Sequence, residues 1–139
     1  MNKSLRILIL EDDELDVELI SRMLKGAGTI FTVTVVNDQM EFEAAVNTYK
    51  YDVILADNSL PQFDAVTALR ILQQKRVDTP FILVTGTVSE EFAVAIIKDG
   101  AADYILKGNL KKLPAAIEGA IAKLEIKKWC GNAKPNKCF

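Results

Sequence analysis

Short apolar segments recur along the chain, and the stretches between them have helical periodicity. The apolar segments are Leu5–Leu10, Phe31–Val36, Val53–Ala56, Phe81–Val84 and Tyr104–Leu106. In the intervening stretches apolar residues return at intervals of three and four, as they do on one face of a helix. The last stretch shows this with Leu113, Ile117, Ala120, Ile121 and Leu124. The pattern predicts strands that alternate with helices, and helical crossovers make consecutive strands parallel.

The strands differ in how polar residues are distributed within them. Apart from Arg6, the segments "RILIL", "VILA" and "FILV" are solidly apolar, which is typical of strands covered on both faces, whereas "FTVTVV" alternates. One solvated face indicates that the second strand lies at an edge of the sheet. We therefore predict an α/β fold with a doubly wound, five-stranded parallel sheet of the flavodoxin-like (βα)5 type, with strand order 2-1-3-4-5.

Polar residues and glycines mark the ends of several predicted helices. Asp38 with Glu41 has the spacing of a helix cap, and Asp13 can cap the first helix. Gly26, Gly28 and Gly100 fit helix ends.

Composition narrows the functional classes. The chain has 139 residues, the size of one domain, and its formal net charge of -2 provides no basic field for nucleic acid. No apolar run approaches the roughly 20 residues that span a bilayer, and the first residues do not resemble a secretory signal. We expect a cytoplasmic protein without membrane insertion or direct contact with nucleic acid. Histidine is absent, and both cysteines, Cys130 and Cys138, lie in the last stretch.

Charged and hydroxyl side chains follow the predicted strands at their carboxyl ends. The first strand ends in Glu11-Asp12-Asp13, the third in Asp57 and the fourth in Thr85, and Lys107 comes just past the fifth. Ligands of open parallel sheets bind outside the carboxyl ends of the strands, at the point where the winding reverses. We therefore expect these side chains to converge at one edge of the sheet.

Acidic residues gathered at one edge need a compensating charge. Two carboxylates about 4 Å apart repel by roughly 1 kcal/mol in water and up to about 4 kcal/mol near a protein surface. A site of oxygen ligands without histidine or cysteine favours a hard cation, most simply Mg²⁺. Magnesium held there can clamp a phosphoryl group while Asp57 attacks its phosphorus and Lys107 and Thr85 contact its oxygens. The competing interpretations are ordinary ones: Asp13 as a helix cap only, and Asp57 as a turn residue before Pro61.

At these residues the chain resembles a response-regulator receiver domain, the CheY-like phosphoacceptor module of two-component signalling. The resemblance is carried by "ILILEDD", "DVILADNSLPQFDA", "FILVTGT" and "GAADYILKGNL", which stand in family order, and it runs from about Leu5 to Lys127. We therefore assign residues 1–129 to a receiver domain and residues 130–139 to a C-terminal tail. For that tail, a docking segment and a poorly ordered end are both open.

The resemblance implies a role for each site residue. Asp57 is the phosphorylated aspartate, and Glu11, Asp12, Asp57 and the main-chain carbonyl of Ser59 form the magnesium site. Thr85 and Lys107 contact the phosphoryl group. Tyr104 matches the aromatic switch position that responds to Thr85, although a half-buried strand aromatic explains it equally well.

The resemblance also implies partners and an output. The phosphoryl donor is a sensor histidine kinase or phosphotransfer protein, and the modified domain switches the binding of a downstream protein through its fourth helix, fifth strand and fifth helix. Such a domain is a phosphoprotein that catalyses only its own phosphorylation and dephosphorylation, and it can form a homodimer. The main alternative is a phosphorylation-independent interaction module on the same fold. A hydrolase of external phosphoesters fits less well, because no cap domain closes over the site.

One departure from the family pattern concerns the lysine loop. Family members commonly have proline after this lysine, with a cis peptide bond, but here Gly108 follows Lys107. A cis bond without proline costs about 3–4 kcal/mol, so we expect a trans bond.

Overall fold

A computed structural model describes residues 4–58, 63–86 and 90–131, and within these ranges five strands alternate with five α-helices. The strands are β1 (Leu5–Leu10), β2 (Phe31–Val36), β3 (Val53–Ala56), β4 (Phe81–Thr85) and β5 (Asp103–Leu106). The helices are α1 (Glu14–Gly26), α2 (Gln39–Thr48), α3 (Ala65–Gln74), α4 (Glu90–Lys98) and α5 (Leu113–Gly131), and a 3-10 helix spans Lys107–Lys112. The predicted segments agree with these bounds to within one residue at each strand end.

The strands form one parallel sheet in the order β2-β1-β3-β4-β5. β1 pairs with both β2 and β3, and its last residue, Leu10, stands opposite Val36 on one side and Ala56 on the other. The predicted fold class and strand order are thereby confirmed. The edge position of β2 agrees with its alternating pattern, in which Thr32 and Thr34 are exposed.

The core lies on both faces of the sheet. Ile7, Ile9 and Leu55 point to the face covered by α1 and α5, whereas Leu8 and Ile54 point to the face covered by α2, α3 and α4. Each of these side chains is at most 1% exposed, and full burial of an aliphatic side chain stabilises a fold by about 1.5–3 kcal/mol. Strand segments buried on both faces are apolar, which explains the composition of residues 7–10 in β1, 53–56 in β3 and 81–84 in β4.

Side-chain caps fix where the helices begin. The carboxylates of Asp13, Asp38 and Asp64 accept hydrogen bonds from backbone N–H groups in the first turns of α1, α2 and α3. The helix ends predicted at Gly28 and Gly100 are also confirmed, since both residues adopt positive φ angles, +81° and +124°. Such angles are readily accessible to glycine, which has no Cβ atom.

The segment between β5 and α5 differs from a simple strand-to-helix turn. Lys107 opens a 3-10 helix, inside which Asn109 has the non-helical angles φ −135° and ψ 41°. None of the described peptide bonds is cis, so the bond between Lys107 and Gly108 is trans.

The end of the chain bears on the predicted domain boundary. Helix α5 continues to Gly131, past the predicted boundary after residue 129, and residues 132–139 of the predicted tail lie outside the described residues. The boundary stays a prediction. Among the described helices, none is long and apolar enough to cross a membrane.

Candidate functional site

The strand register brings two acidic residues together at the carboxyl edge of the sheet. Leu10 of β1 pairs with Ala56 of β3, so the next residues, Glu11 and Asp57, are neighbours. The backbone N–H of Asp57 donates to the carbonyl of Leu10 at 3.0 Å, and the N–H of Glu11 donates to the carbonyl of Val36 at 3.0 Å. Each acid is therefore held as a one-residue extension of its strand. Both are 3% exposed.

Lys107 directly follows β5, the edge strand two positions from β3, and its side chain extends back to these acids. Its Nζ atom lies 2.8 Å from Glu11 Oε1 and 2.9 Å from Asp57 Oδ2. Because β4 lies between β3 and β5, the lysine side chain has to cross the end of β4. That end is occupied by Thr85, which pairs with Leu106 in the sheet and is 2% exposed. The edge thus brings together four predicted site residues: Glu11, Asp57, Thr85 and Lys107.

A third carboxylate joins the cluster from helix α1, and the sequence analysis did not identify it. Asp16 Oδ2 lies 2.5 Å from Lys107 Nζ. Asp16 stands four and eight residues before the buried Ile20 and Leu24, so it lies on the buried stripe of α1. The sequence signal that could have identified Asp16 is an acidic residue on the apolar stripe of a predicted helix. It is easily overlooked, because acidic residues are common in the first turn of a helix, where they interact favourably with the helix dipole.

The cluster contains more negative than positive charge. One ammonium contacts three carboxylates, those of Glu11, Asp16 and Asp57. Burial raises the pKa of Glu11 to about 7, and the nearby charge of Asp57 acts in the same direction, against the lowering effect of Lys107. Burial by itself would lower the pKa of Lys107, but its hydrogen bonds to Asp16, Asp57 and Glu11 raise that pKa overall. The lysine therefore stays charged, and burial favours the protonated form of Glu11.

Two further predicted site residues, Asp12 and Tyr104, lie outside this cluster. Asp12 is exposed, and its backbone N–H donates to Glu11 Oε2 at 3.1 Å. Asp13 caps α1 through a 2.9 Å hydrogen bond from the N–H of Leu15. Tyr104 is 39% exposed in β5. Ser59 lies outside the described residues. The roles predicted for Ser59, Asp12 and Tyr104 stay predictions.

The oxygen ligands at this edge fit a hard cation. Among the described residues, Glu11, Asp16 and Asp57 each offer a carboxylate oxygen, and these oxygens lie within 4.8 Å of one another. Carboxylates without histidine or cysteine suit Mg²⁺ better than a softer metal. Glu11 and Asp57 were among the predicted magnesium ligands, whereas Asp16 was not.

The chain is a doubly wound α/β domain with two buried acids and a lysine at the carboxyl edge of its sheet. The model of the response regulator receiver domain family matches residues 7–118. The chain belongs to this family. Receiver domains are signalling phosphoacceptors of two-component systems rather than classical enzymes, and they interact with histidine kinases or phosphotransfer proteins.

Curated relatives match this chain over part of their own length. The transcription factor SKN7 of Saccharomyces cerevisiae is 30% identical over 107 residues, which are 77% of this chain and 17% of that protein. The cell cycle transcriptional regulator CtrA of Caulobacter vibrioides is 30% identical over 104 residues, 74% of this chain and 44% of that protein. The chain therefore spans less than half the length of these relatives.

Solved receiver domains superpose on this fold. One, from a Francisella response regulator, is 27% identical with a TM-score of 0.75 and covers 86% of this chain and 98% of its own. Another belongs to a sensor histidine kinase of Pseudomonas aeruginosa and is 25% identical with a TM-score of 0.73, covering 86% of this chain and 99% of its own. That second structure has a magnesium ion coordinated in its active-site cleft.

Proposed function

We propose that this chain accepts a phosphoryl group on Asp57 from a phosphohistidine of a sensor histidine kinase or phosphotransfer protein, in a magnesium-dependent reaction. The observation that carries the proposal is the position of the Asp57 carboxylate. It is buried at the carboxyl end of β3, and Lys107 Nζ lies 2.9 Å from its Oδ2 atom. Family membership supports the reaction class, and these 139 residues contain no histidine that could serve as the donor.

The chemistry required of the protein is limited to one displacement. A carboxylate oxygen of Asp57 attacks phosphorus, the bond between phosphorus and the imidazole nitrogen breaks, and its electron pair stays on the imidazole. The imidazole leaves as a neutral group when its other nitrogen is protonated. Lys107 and Thr85 are proposed to contact the phosphoryl oxygens, because both already lie at the same edge of the sheet.

We assign the magnesium site to Glu11, Asp12, Asp57 and the main-chain carbonyl of Ser59. Magnesium supplies positive charge that offsets the carboxylates and the phosphoryl oxygens. The cluster of carboxylate oxygens supports Glu11 and Asp57 as ligands, and the magnesium ion in the related receiver domain from Pseudomonas aeruginosa supports a site of this kind.

The proposed output is a change in protein binding at the face formed by α4, β5 and α5. The phosphoryl group carries about 1.5 to 2 negative charges in place of the single charge of the Asp57 carboxylate, and its strong acceptor oxygens draw Thr85 and Lys107 toward the modified side chain. Tyr104 is the proposed switch residue that follows Thr85. Exposed apolar side chains support a protein contact on this face: Val94, Ile97, Tyr104 and Leu106.

The proposal keeps the predicted cytoplasmic location and the prediction that this chain contacts no nucleic acid directly. The names of the curated relatives include a transcription factor, but this chain matches only 17% to 44% of their length. Homodimer formation also stays a prediction.

Intact-mass measurement with acetyl phosphate and Mg²⁺ tests the proposal. The wild-type chain is expected to gain one phosphoryl group, and the Asp57→Asn variant none. Asp52→Asn is the matched control, since Asp52 lies at the opposite end of β3, where its carboxylate accepts a hydrogen bond from the Arg6 N–H. An equal mass gain in Asp57→Asn would contradict the assignment of the phosphoacceptor.

The alternative, an interaction module that phosphorylation does not control, makes a separate prediction. Under our proposal, beryllofluoride bound at Asp57 changes the affinity for the downstream protein. Equal affinity with and without beryllofluoride would favour the alternative.

A further inference from the structure

Asp16 is fixed at the site by the geometry of helix α1. It is the third residue of the helix, in the first turn after the Asp13 cap, and it lies on the helix stripe that includes the buried Ile20 and Leu24. Its side chain is 21% exposed, whereas the nearby Glu18 side chain is 54% exposed and pairs with Arg22 on the surface. The Asp16 carboxylate is therefore directed by the helix toward the carboxyl edge of the sheet.

Lys107 needs an anchor of this kind. Its ammonium is attached through a flexible four-carbon chain, which has to cross the end of β4 to reach Asp57. The backbone that follows is Gly108 and a 3-10 helix interrupted by non-helical angles at Asn109. A charged hydrogen bond that the ammonium donates to a carboxylate on a helix restricts its position.

We infer that Asp16 is a positioning residue whose carboxylate holds the Lys107 ammonium beside Asp57. The inference rests on the proposed function and deepens it. Glu11 is a proposed magnesium ligand, and Asp57 loses its carboxylate when it is phosphorylated. Asp16 has neither role, so its carboxylate can contact the Lys107 ammonium throughout the reaction. The distances support this, because Lys107 Nζ lies 2.5 Å from Asp16 and 2.9 Å from Asp57.

The first test is independent of phosphorylation. In proton–nitrogen correlation spectra at low temperature, an ammonium held by carboxylates exchanges slowly and gives a signal. We expect a Lys107 signal in the wild type, assigned by its disappearance in Lys107→Ala. Asp16→Asn is expected to weaken or remove it, Asp16→Glu to retain it in part, and the surface control Glu18→Gln to leave it unchanged. A Lys107 signal unaffected by Asp16→Asn would overturn the inference.

The second test is a double-mutant cycle on the rate of phosphorylation by acetyl phosphate. In the chain that has Lys107, we expect Asp16→Asn to slow the reaction about tenfold, because the substitution weakens the charged hydrogen bond that positions the ammonium. In the Lys107→Ala background the same substitution is expected to change the rate less than about twofold, because the group that Asp16 positions is gone.

The outcomes separate the inference from its competitors and from the proposed function. Equal losses in both lysine backgrounds would overturn the inference, in favour of a general structural role or direct magnesium binding by Asp16. Magnesium titrations of the two Asp16 forms distinguish those competitors. If the wild type gains no phosphoryl group, the proposed function fails, but the ammonium spectra still decide whether Asp16 holds Lys107.

Discussion

The two edges of the sheet accommodate buried polar groups in different ways. Glu11, Asp57, Thr79 and Thr85 are the buried polar or charged residues in the described part of the chain, and only Thr79 lies at the amino edge. Its hydroxyl donates to the carbonyl of Tyr51 at 3.2 Å, which pairs two neutral groups. At the carboxyl edge, by contrast, three carboxylates contact one ammonium.

This difference indicates what each edge contributes. A hydrogen bond between two neutral groups contributes to stability and leaves no net charge, so the buried polar pair at the amino edge stabilises the fold. Excess buried negative charge destabilises the fold unless a cation or a proton offsets it. If the carboxyl edge is a cation site, as proposed, its excess of carboxylates should lower the stability of the chain when no cation is bound.

The largest expected effect is at the amino edge, where Gly100→Ala should destabilise the chain. Gly100 has a φ of +124°, and a Cβ atom there would lie 2.7 Å from Gln73 Nε2, which donates a hydrogen bond to the carbonyl of Asp99. Backbone strain and loss of that hydrogen bond together should lower the unfolding free energy by about 2–3 kcal/mol. Urea unfolding measures this loss.

Gly26→Ala is the matched control for that substitution. Gly26 is the last residue of α1, and a Cβ atom there would meet nothing within 4 Å. Alanine should stabilise the chain by up to about 1 kcal/mol, because glycine is a poor helix former. Equal effects of the two substitutions would show that the amino edge does not depend on the conformation of Gly100.

A smaller effect of opposite sign is expected at the carboxyl edge for Glu11→Gln. The pKa of Glu11 is about 7 in the folded chain, above its ordinary value of 4.5. Between these values the folded chain holds a proton that the unfolded chain releases, so the stability contributed by this group falls as the pH rises through that window. The amide removes this pH dependence. At about pH 8, without metal, it should raise the unfolding free energy by roughly 1–2 kcal/mol, because the lost contact with Lys107 offsets part of the gain.

Urea unfolding at about pH 5 and about pH 8 in the presence of a chelator measures this effect. Glu18→Gln is the control, since Glu18 is exposed on α1 and should show no such change. A Glu11→Gln variant that is less stable than the wild type at the higher pH would contradict the assigned charge excess.

Most of the fold could be predicted from the sequence because hydrophobic periodicity reports directly on burial. The solid apolar runs of β1, β3 and β4 and the alternation of β2 determine which strands are covered on both faces. The 3-10 helix after Lys107 could not be predicted in this way, because its six residues are too few to establish a periodicity.

The site was only partly predictable, for a different reason. Glu11, Asp57 and Lys107 follow strands directly, so strand ends are sufficient to bring them together. Whether Asp16 reaches the site depends on how helix α1 is rotated relative to the sheet. The exposure of Asp12 depends on the local turn after β1. Neither quantity is specified by residue spacing along the strands.

The dependence of stability on Mg²⁺ tests most directly the claim that the carboxyl edge is kept for a cation. Unfolding of the wild type is measured at increasing MgCl₂ with ionic strength held constant by NaCl. The account predicts that the unfolding free energy rises, by about 1.4 kcal/mol when the ion is tenfold above its Kd, and that the rise is much smaller in Glu11→Gln. Equal stability with and without Mg²⁺, or the same rise in both chains, would contradict it.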